Sequence, residues 1–232
     1  MSSVDGRLLP SRWTAPFGCS MSDCVKEYAA IGRELGTDAW MFGLATAQES
    51  LLPYKFVCKK TEYAIPRKPY IDITSRESER LFIVSDPEGK IFYHTTSVRG
   101  DNIVAIIGEN VPDEYLQHLQ SAHISYVFGG KDGYDMATAL DVLSDIFGVK
   151  VVSLQGGGII DGAMLAAGLI NELSLVMYPG IDGLTTAPSI FEYLGASDEF
   201  PAAGQSLELL SADVRNHGVV WLRYKFHKNQ SV

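Results

Sequence analysis

A short apolar strand, three consecutive glycines and the start of a helix follow one another over residues 151–161, and this stretch constrains the fold most. Its sequence is VVSLQGGGIID. The β-branched and apolar residues before the glycines favour a buried strand, because they pack well on a pleated surface. Glycine allows the sharp turn that follows and lets another group approach the main chain closely. The stretch therefore predicts a strand-to-helix junction.

The predicted helix after the glycines, from about Ile159 to Ala167, directs its free N–H groups and the positive end of its dipole at the turn. Such a helix start favours an anion, for example a phosphate. We therefore interpret Gly156 to Gly158 as a nucleotide phosphate site, although a tight turn without a ligand explains these glycines equally well. Two familiar motifs are excluded, because Asp161 stands where the dinucleotide fingerprint needs glycine and Ile159-Ile160 stand where the P-loop needs lysine and a hydroxyl.

A second strand-to-helix junction is predicted earlier in the chain. Residues 38–43 have the apolar character of a buried strand, Gly43 ends it, and a helical turn follows at about 45–51. Thr46 would offer a hydroxyl and a backbone N–H at the start of this helix, and it would also serve as an ordinary cap. The chain thus has two junctions suited to anionic groups.

Predicted helices alternate with buried strands along the chain, and an antiparallel hairpin closes it. This order predicts an α/β domain with a mixed sheet covered on both faces, and the absence of repeats and linkers predicts one domain over residues 1–232. Residues 53–79 have no clear period and predict a long excursion of functional or disordered character. The remaining predictions are helices at about 23–35, 112–121 and 134–147, strands at 80–85, 91–94, 103–107, 124–128 and 173–178, and a hairpin of 207–213 with 219–226.

The charge of the chain limits its partners. A formal net charge of −9 argues against a general binder of nucleic acid or anionic membranes. Residues 51–80 differ, because seven basic and four acidic residues give them a net charge of +3. This segment could receive an anionic small molecule, but solvated surface lysines explain it as well.

The cysteines and histidines predict neither a metal site nor nucleophilic catalysis. Three cysteines without a CxxC pair argue against a disulfide framework and match no zinc spacing. The five histidines are scattered and pair with no serine or cysteine. No signal peptide and no apolar run of about 20 residues is found, so we expect a cytoplasmic protein that is not inserted in a membrane.

Four motifs occur in order over nearly the whole chain. They are SVDGR at residues 3–7, WMFGLAT at 40–46, QGGG at 155–158 paired with GLINE at 168–172, and WLRY at 221–224. This ordered set resembles the C-terminal reductase domain of the bifunctional riboflavin-biosynthesis deaminase/reductase, which has the dihydrofolate reductase fold. The resemblance implies a three-layer α/β/α architecture with a mixed sheet of eight or nine strands, ending in an antiparallel hairpin.

The resemblance also implies an NADPH-dependent reductase that transfers a hydride to a pyrimidine ribosylamine or a related heterocycle, and a homodimer. Asp5 is the candidate catalytic residue, which would orient the substrate or relay a proton; an aspartate before glycine also caps ordinary turns. Gln155 is the candidate substrate-binding residue. The candidate NADPH contacts are Thr46, Ser85, Gly156, Gly157, Gly158 and Ile159.

The chain departs from the family pattern at three places. The strand that normally precedes the SxDG segment is absent, so we expect a shortened chain. Gln155 replaces a glutamate, and an amide cannot titrate in an acid or base role. Residues 53–79 are longer and more basic than the usual connection. Two alternatives stay open: a dihydrofolate or pterin reductase, although no Pro-Trp substrate-loop motif is found near the N-terminus, and a nucleotide-binding module without catalysis.

Overall fold

The structure is a computed structural model that describes residues 1–50, 52–57, 64–73 and 79–228. The chain forms two compact units. The central unit is Thr37–Gly156, and the terminal unit combines Met1–Gly36 with Gly157–Val232. The prediction of one domain over residues 1–232 stays a prediction.

Helices and strands alternate as the sequence predicted, within one to four residues at most ends. The described helices are α1 (Met21–Glu34), α2 (Leu44–Ser50), α3 (Asp113–Ser121), α4 (Met136–Phe147) and α5 (Gly158–Ala166). The described strands are β1 (Ala39–Gly43), β2 (Leu81–Ser85), β3 (Ser97–Val98), β4 (Asp101–Ile107), β5 (Ser125–Phe128), β6 (Val152–Leu154), β7 (Glu172–Met177), β8 (Gln205–Val214) and β9 (Val220–Lys228).

The central unit is built on a sheet in which five strands run parallel in the order β6-β1-β2-β4-β5. The short strand β3 pairs antiparallel with the start of β4. Parallel neighbours need crossover connections, and such sheets are normally buried on both faces. The strands therefore consist of almost continuous apolar residues; all five residues of β2 are buried.

Alternate residues of these strands face opposite sides of the sheet, and both sides are buried. On one side Phe82, Val84 and Ala105 form a core with residues of α2 and α3. On the other side Ile83 and Val104 are fully buried. Burial of a large aliphatic side chain contributes roughly 1.5–3 kcal/mol, so the two faces together dominate the stability of this unit.

The terminal unit contains a three-stranded antiparallel sheet in the order β7-β9-β8. Its core includes Trp13, Tyr178 and Trp221, against which residues of α1 pack. Near the N-terminus, Ser2 makes a parallel bridge with Met177 at the end of β7. The opening segment therefore continues this sheet by one bridge.

The predicted α/β class, with a mixed sheet and a closing antiparallel hairpin, is confirmed. The expectation of a single sheet of eight or nine strands differs from the structure, where the nine described strands form one sheet of six and one of three. The predicted strand at 91–94 is reduced to a bridge between Ile91 and Lys55. Helix α1 begins earlier than predicted, because Ser20 rather than Ser22 is its N-cap.

Candidate functional site

The order of the strands in the central unit places a topological switch point between β1 and β6. From β1 the chain proceeds through β2 and β4 to β5 on one side, and then returns to β6 on the other side of β1. Ligands of open α/β sheets bind at such a topological switch point, outside the carboxyl ends of the strands. Both junctions predicted from the sequence start at these two strand ends.

The backbone holds the carboxyl ends of β1 and β6 together. The Gln155 N–H donates to the Met41 carbonyl over 2.8 Å, and the Gly43 N–H donates to the Gly156 carbonyl over 3.1 Å. Gly156 has φ +92°, a conformation that residues with a side chain rarely adopt. Gly156 is thus required by the turn itself.

Three predicted site residues of the central unit lie at this carboxyl edge. Ser85 is the last residue of β2 and stands beside Gly43 in the register of the sheet. Thr46 is the third residue of α2, and Gln155 follows β6 directly. The structure therefore brings Thr46, Ser85 and Gln155 to the ends of three adjacent strands. Their roles in binding a cofactor or a substrate stay predictions.

A small cavity lies beside Thr46. Its volume is about 170 Å³, and Phe42 and Phe82 line it with ring centroids 4.6 Å apart. Arg99, held at φ +53° in the turn before β4, also lines it. Ligand pockets for small molecules usually measure roughly 300–1,000 Å³, so this cavity is too small for a whole substrate or dinucleotide.

The Gln155 side chain is engaged within its own strand region. Its Nε2 donates to Ser153 Oγ over 2.5 Å, and the residue is partly buried. The amide therefore has a local structural role in addition to the substrate-binding role predicted for it, which stays a prediction.

The first turn of α5, in the terminal unit, has the features predicted for an anion site. Gly157 is its N-cap, with φ +59° and ψ 143°, and no side chain caps the helix. Ile159 is half exposed beside this turn. Backbone N–H groups at an uncapped helix start are donors suited to an anion. The prediction that Gly157, Gly158 and Ile159 contact the pyrophosphate of a dinucleotide stays a prediction.

Close packing against residues 189–192 explains two of the glycines in this region, Gly158 and Gly162. The Glu192 N–H donates to the Gly158 carbonyl over 2.8 Å. A Cβ on Gly158 would lie 2.3 Å from the Ser189 carbonyl oxygen, and one on Gly162 would lie 2.1 Å from the Glu192 carbonyl oxygen. Residues 189–192 therefore pass so close to α5 that only glycine fits at these two positions. The spacing Gly-x-x-x-Gly was the available signal for this packing, and sequence reasoning missed it.

Two carboxyl groups near the start of α5 were not assigned from the sequence. A Glu192 carboxylate oxygen lies 3.2 Å from the place where a Gly158 Cβ would stand, and the other oxygen accepts the Ser189 N–H over 3.1 Å. Burial raises the pKa of Asp161, in the first turn of α5, to about 7. A negative charge near a helix start repels a bound phosphate. Glu192 would therefore narrow the space for a cofactor and repel its phosphate groups.

Asp5 also lies in the terminal unit, where its carboxylate accepts three hydrogen bonds. Ser3 Oγ donates over 2.6 Å, the Asp182 N–H over 3.1 Å and the Gly183 N–H over 2.8 Å. These bonds, with Ser3 first, lower the pKa of Asp5 to about 2. The exposed carboxylate is therefore ionised at neutral pH and cannot donate a proton.

Within the terminal unit, residues 188–192 connect the segment that contains Asp5 to Gly158 at the start of α5. The Leu8 N–H donates to the Pro188 carbonyl, and the Ile190 N–H donates to the Gly6 carbonyl. The same segment reaches Gly158 through Glu192. Two motifs more than 140 residues apart in sequence are thus held by one irregular segment, residues 188–192.

The basic segment around residue 67 has a structural explanation. The Arg67 guanidinium donates to the carbonyls of Glu109 and Val111 and to the Asp113 carboxylate. Arg80 donates to Asp101 and lies 4.4 Å from the centre of the Trp40 ring. Arg67 and Arg80 therefore have structural partners, and the anion-binding role of the remaining basic residues stays a prediction. Lys59, Lys60 and Arg76 lie outside the described residues.

Among residues 1–50, 52–57, 64–73 and 79–228, no three His, Cys, Asp or Glu side chains come together in a way that could hold a metal ion. Within the same part of the chain, no helix is both long and apolar enough to cross a membrane.

Comparison with known proteins identifies the family. A pyrimidine reductase-like protein from Corynebacterium diphtheriae is 17% identical, with a TM-score of 0.64, over 98% of this chain and 90% of that one. RibD of Acinetobacter baumannii is 18% identical, with a TM-score of 0.56, over 97% of this chain and 56% of that one, so this chain spans about half of that protein. The riboflavin biosynthesis reductase Rib7 of Saccharomyces cerevisiae is 11% identical, with a TM-score of 0.54, over 97% and 86%.

These structures share the fold of this chain. The profile of one family, described as the RibD C-terminal domain, matches residues 46–220, which contain the Thr46 junction, Ser85 and the glycine turn. The chain therefore belongs to the RibD C-terminal domain family.

Proposed function

We propose that this protein is an NADPH-dependent reductase that transfers a hydride to a pyrimidine ribosylamine, as in riboflavin biosynthesis, or to a related heterocycle. The observation that carries the proposal is the placement of Thr46, Ser85 and Gly156 around the switch point of the sheet. The family and the names of its structural relatives support a pyrimidine as the substrate.

The nicotinamide cofactor would supply the hydride, while this chain would bind and orient. Thr46 would donate its hydroxyl and Ser85 would face the adenosine phosphate side at the carboxyl edge of the central sheet. Gly157, Gly158 and Ile159 would donate backbone N–H groups to the pyrophosphate. Gln155 cannot act as an acid or a base, because an amide does not titrate. Other groups would therefore have to take the acid and base roles.

The ionised Asp5 carboxylate supports an orienting role better than a proton relay. Its pKa of about 2 keeps it charged across the range in which such an enzyme works. A fixed negative charge can align a substrate N–H or attract a positive charge that develops during hydride transfer. We therefore expect Asp5→Asn to lower turnover far more than NADPH affinity, and the retained NADPH affinity is the control for folding.

The cofactor assignment is tested by fluorescence titration of the full chain with NADPH and NADH. We expect NADPH to bind in the micromolar range and NADH more weakly. Thr46→Val should weaken NADPH binding by roughly one to two orders of magnitude, because a hydrogen bond to a charged group contributes about 1.5–3 kcal/mol. Equal binding of both cofactors, or none, would refute the assignment.

Thr138 provides a matched control. Like Thr46, it is the third residue of a helix that follows a parallel strand, here α4 after β5. However, β2 and β4 separate β5 from β1, so Thr138 does not border the switch point. Thr138→Val should leave the NADPH affinity unchanged; equal losses in both variants would mean that the switch point does not hold the cofactor.

An NADPH-oxidation screen separates the remaining candidates. Oxidation with a ribosylaminopyrimidine supports the riboflavin-type reaction, and oxidation with dihydrofolate or a quinonoid pterin supports the alternative reductase. Gln155, which replaces a glutamate and cannot titrate, favours a third candidate, a nucleotide-binding module without catalysis. NADPH binding without oxidation by any of these substrates would support that module.

We further propose a homodimer that forms through β8. This strand has ten residues, pairs with β9 alone among the described strands, and exposes 49% of Leu207, 54% of Leu209 and 84% of Val214. A long apolar edge strand pairs readily with another chain, and a two-fold axis lets the same strand serve both partners. Leu209→Glu should convert the dimer to a monomer in light scattering, whereas Val25→Glu, on an exposed position of α1, should not. A monomeric wild type would contradict the proposal.

A further inference from the structure

The cysteines Cys19 and Cys24 flank the residues that cap α1. Ser20 is the N-cap, and Asp23 is the third residue of the helix. The Ser20 N–H donates to Asp23 Oδ2 over 3.1 Å, and the Asp23 N–H donates to Ser20 Oγ over 3.3 Å. Cys19 precedes this capping box, and Cys24 is the fourth helical residue. Side chains at these two positions pack against each other at capped helix starts, so the cap itself brings the two thiols together.

The two thiols interact, but solvent reaches them unequally. Cys24 is fully buried in the core with Trp13 and Tyr178, whereas Cys19 is partly exposed and packs against the same core. The Cys19 thiol also donates to the His217 carbonyl over 3.7 Å. Burial and then hydrogen bonding with Cys19 raise the pKa of Cys24 to about 11. An oxidant in solution therefore meets Cys19 first, with Cys24 as its neighbour.

We propose that Cys19 and Cys24 form an oxidation site that closes into a disulfide across the start of α1. The Cys19 sulfur attacks a hydroperoxide, the O–O bond breaks, and with hydrogen peroxide the products are a Cys19 sulfenic acid and water. The Cys24 sulfur then attacks the Cys19 sulfur, and the sulfenic oxygen leaves with the Cys24 proton as a second water. Two thiols and one peroxide thus yield one disulfide and two waters.

This modification is independent of the proposed reductase activity. The capping box already fixes the backbone between the two cysteines, so closure requires mainly rotation of two short side chains. A disulfide over so short a loop removes little freedom from the unfolded chain. The bond should therefore raise the thermal midpoint by only a few degrees, on the scale of about 2–4 °C per kcal/mol for a chain of this size.

The test uses the full chain with Cys58→Ser, which leaves only these two thiols. The protein is treated with hydrogen peroxide, its free thiols are blocked with iodoacetamide, and it is digested with trypsin. One peptide, Trp13–Lys26, holds both cysteines. We expect this peptide to lack two hydrogens and to carry no acetamide, and dithiothreitol should restore two alkylated cysteines. A peptide with Cys19 overoxidised and Cys24 alkylated would overturn the proposal.

Two variants in the same background establish the order of events. In Cys24→Ser the sulfenic acid has no partner, so dimedone should trap it on Cys19. In Cys19→Ser the buried Cys24 should stay reduced at the same peroxide dose. Oxidation of Cys24 in that variant at the rate of the pair would show that Cys19 is not the entry point. Because the decisive peptide retains both native cysteines, a folding defect in either variant does not affect it.

Discussion

The substitution Gly158→Ala separates the two roles considered for Gly158, which are close packing against residues 189–192 and contact with a bound phosphate. Gly158 has a helical backbone, so alanine is compatible with its conformation. The new Cβ, however, would lie 2.3 Å from the Ser189 carbonyl oxygen, a backbone atom. Ordinary contact begins at 3.4 Å, so residues 189–192 must move by 3.4 − 2.3, or about 1 Å. That movement also breaks the 2.8 Å hydrogen bond from the Glu192 N–H to the Gly158 carbonyl.

The expected free-energy change is a sum of three effects. Overpacking costs roughly 1–3 kcal/mol and the lost hydrogen bond about 1 kcal/mol. The better helix propensity of alanine offsets at most about 1 kcal/mol. The net destabilisation is therefore about 2 kcal/mol, which corresponds to a fall in thermal midpoint of roughly 4–8 °C for a chain of this length.

Thermal unfolding and NADPH titration are measured on the same samples. Ile159→Ala is the control, because this neighbouring residue is 52% exposed and should change the midpoint by less than half as much. An unchanged midpoint for Gly158→Ala, together with weaker NADPH binding, would refute the packing argument. It would show that the ligand, rather than residues 189–192, requires this glycine.

Three further predictions concern single interactions. Ser20→Ala should lower stability by about 1 kcal/mol in denaturant unfolding, whereas Ser22→Ala, which removes no cap, should have little effect. Burial lowers the pKa of His118 in the folded protein below its unfolded value of about 6.5, so its contribution to stability is complete above that pH and is lost as the pH falls through the folded pKa. The thermal midpoint should therefore decrease as the pH falls below about 6.5, and His118→Gln should weaken this dependence. Arg215→Met should lower the midpoint, because the buried Glu27 loses its ion pair and keeps only the Asn216 amide; an unchanged midpoint would mean that the pair contributes nothing.

Local signals were sufficient to predict most of the elements and the edge of the sheet at which the candidate site lies. Strands such as β2 and β4 are continuous apolar runs, and their periodicity and length decide their structure without knowledge of their neighbours. Once parallel strands are assumed, Thr46, Ser85 and Gln155 must share one edge, because each of them follows or ends a strand. The structure shows that arrangement.

Contacts made by irregular segments could not be predicted in the same way. Residues 188–192 have no period, yet they pack on Gly158 and bond to Gly6. Two hydrogen bonds of Arg67 likewise depend on where the chain places the carbonyls of Glu109 and Val111, which are distant in sequence. The predicted N-cap of α1, Ser22, lies two residues after the observed one, Ser20. Both serines precede a helical pattern, and only the reciprocal hydrogen bonds between Ser20 and Asp23 decide between them.

The three glycines that first indicated a phosphate site have separate physical causes. Gly156 and Gly157 have positive φ, so the turn requires them with or without a ligand. Gly158 leaves room for the Ser189 carbonyl. The glycine sequence alone therefore does not identify a nucleotide site, and the Glu192 carboxylate beside it opposes an anion. What supports the cofactor proposal is the topological switch point between β1 and β6, because ligands of open α/β sheets bind outside the strand ends at such a point. A phosphate bound at α5 would have to displace or neutralise Glu192. If the pyrophosphate lies there, Glu192→Gln should strengthen NADPH binding. If the cofactor contacts only the central unit, the same substitution should leave NADPH binding unchanged.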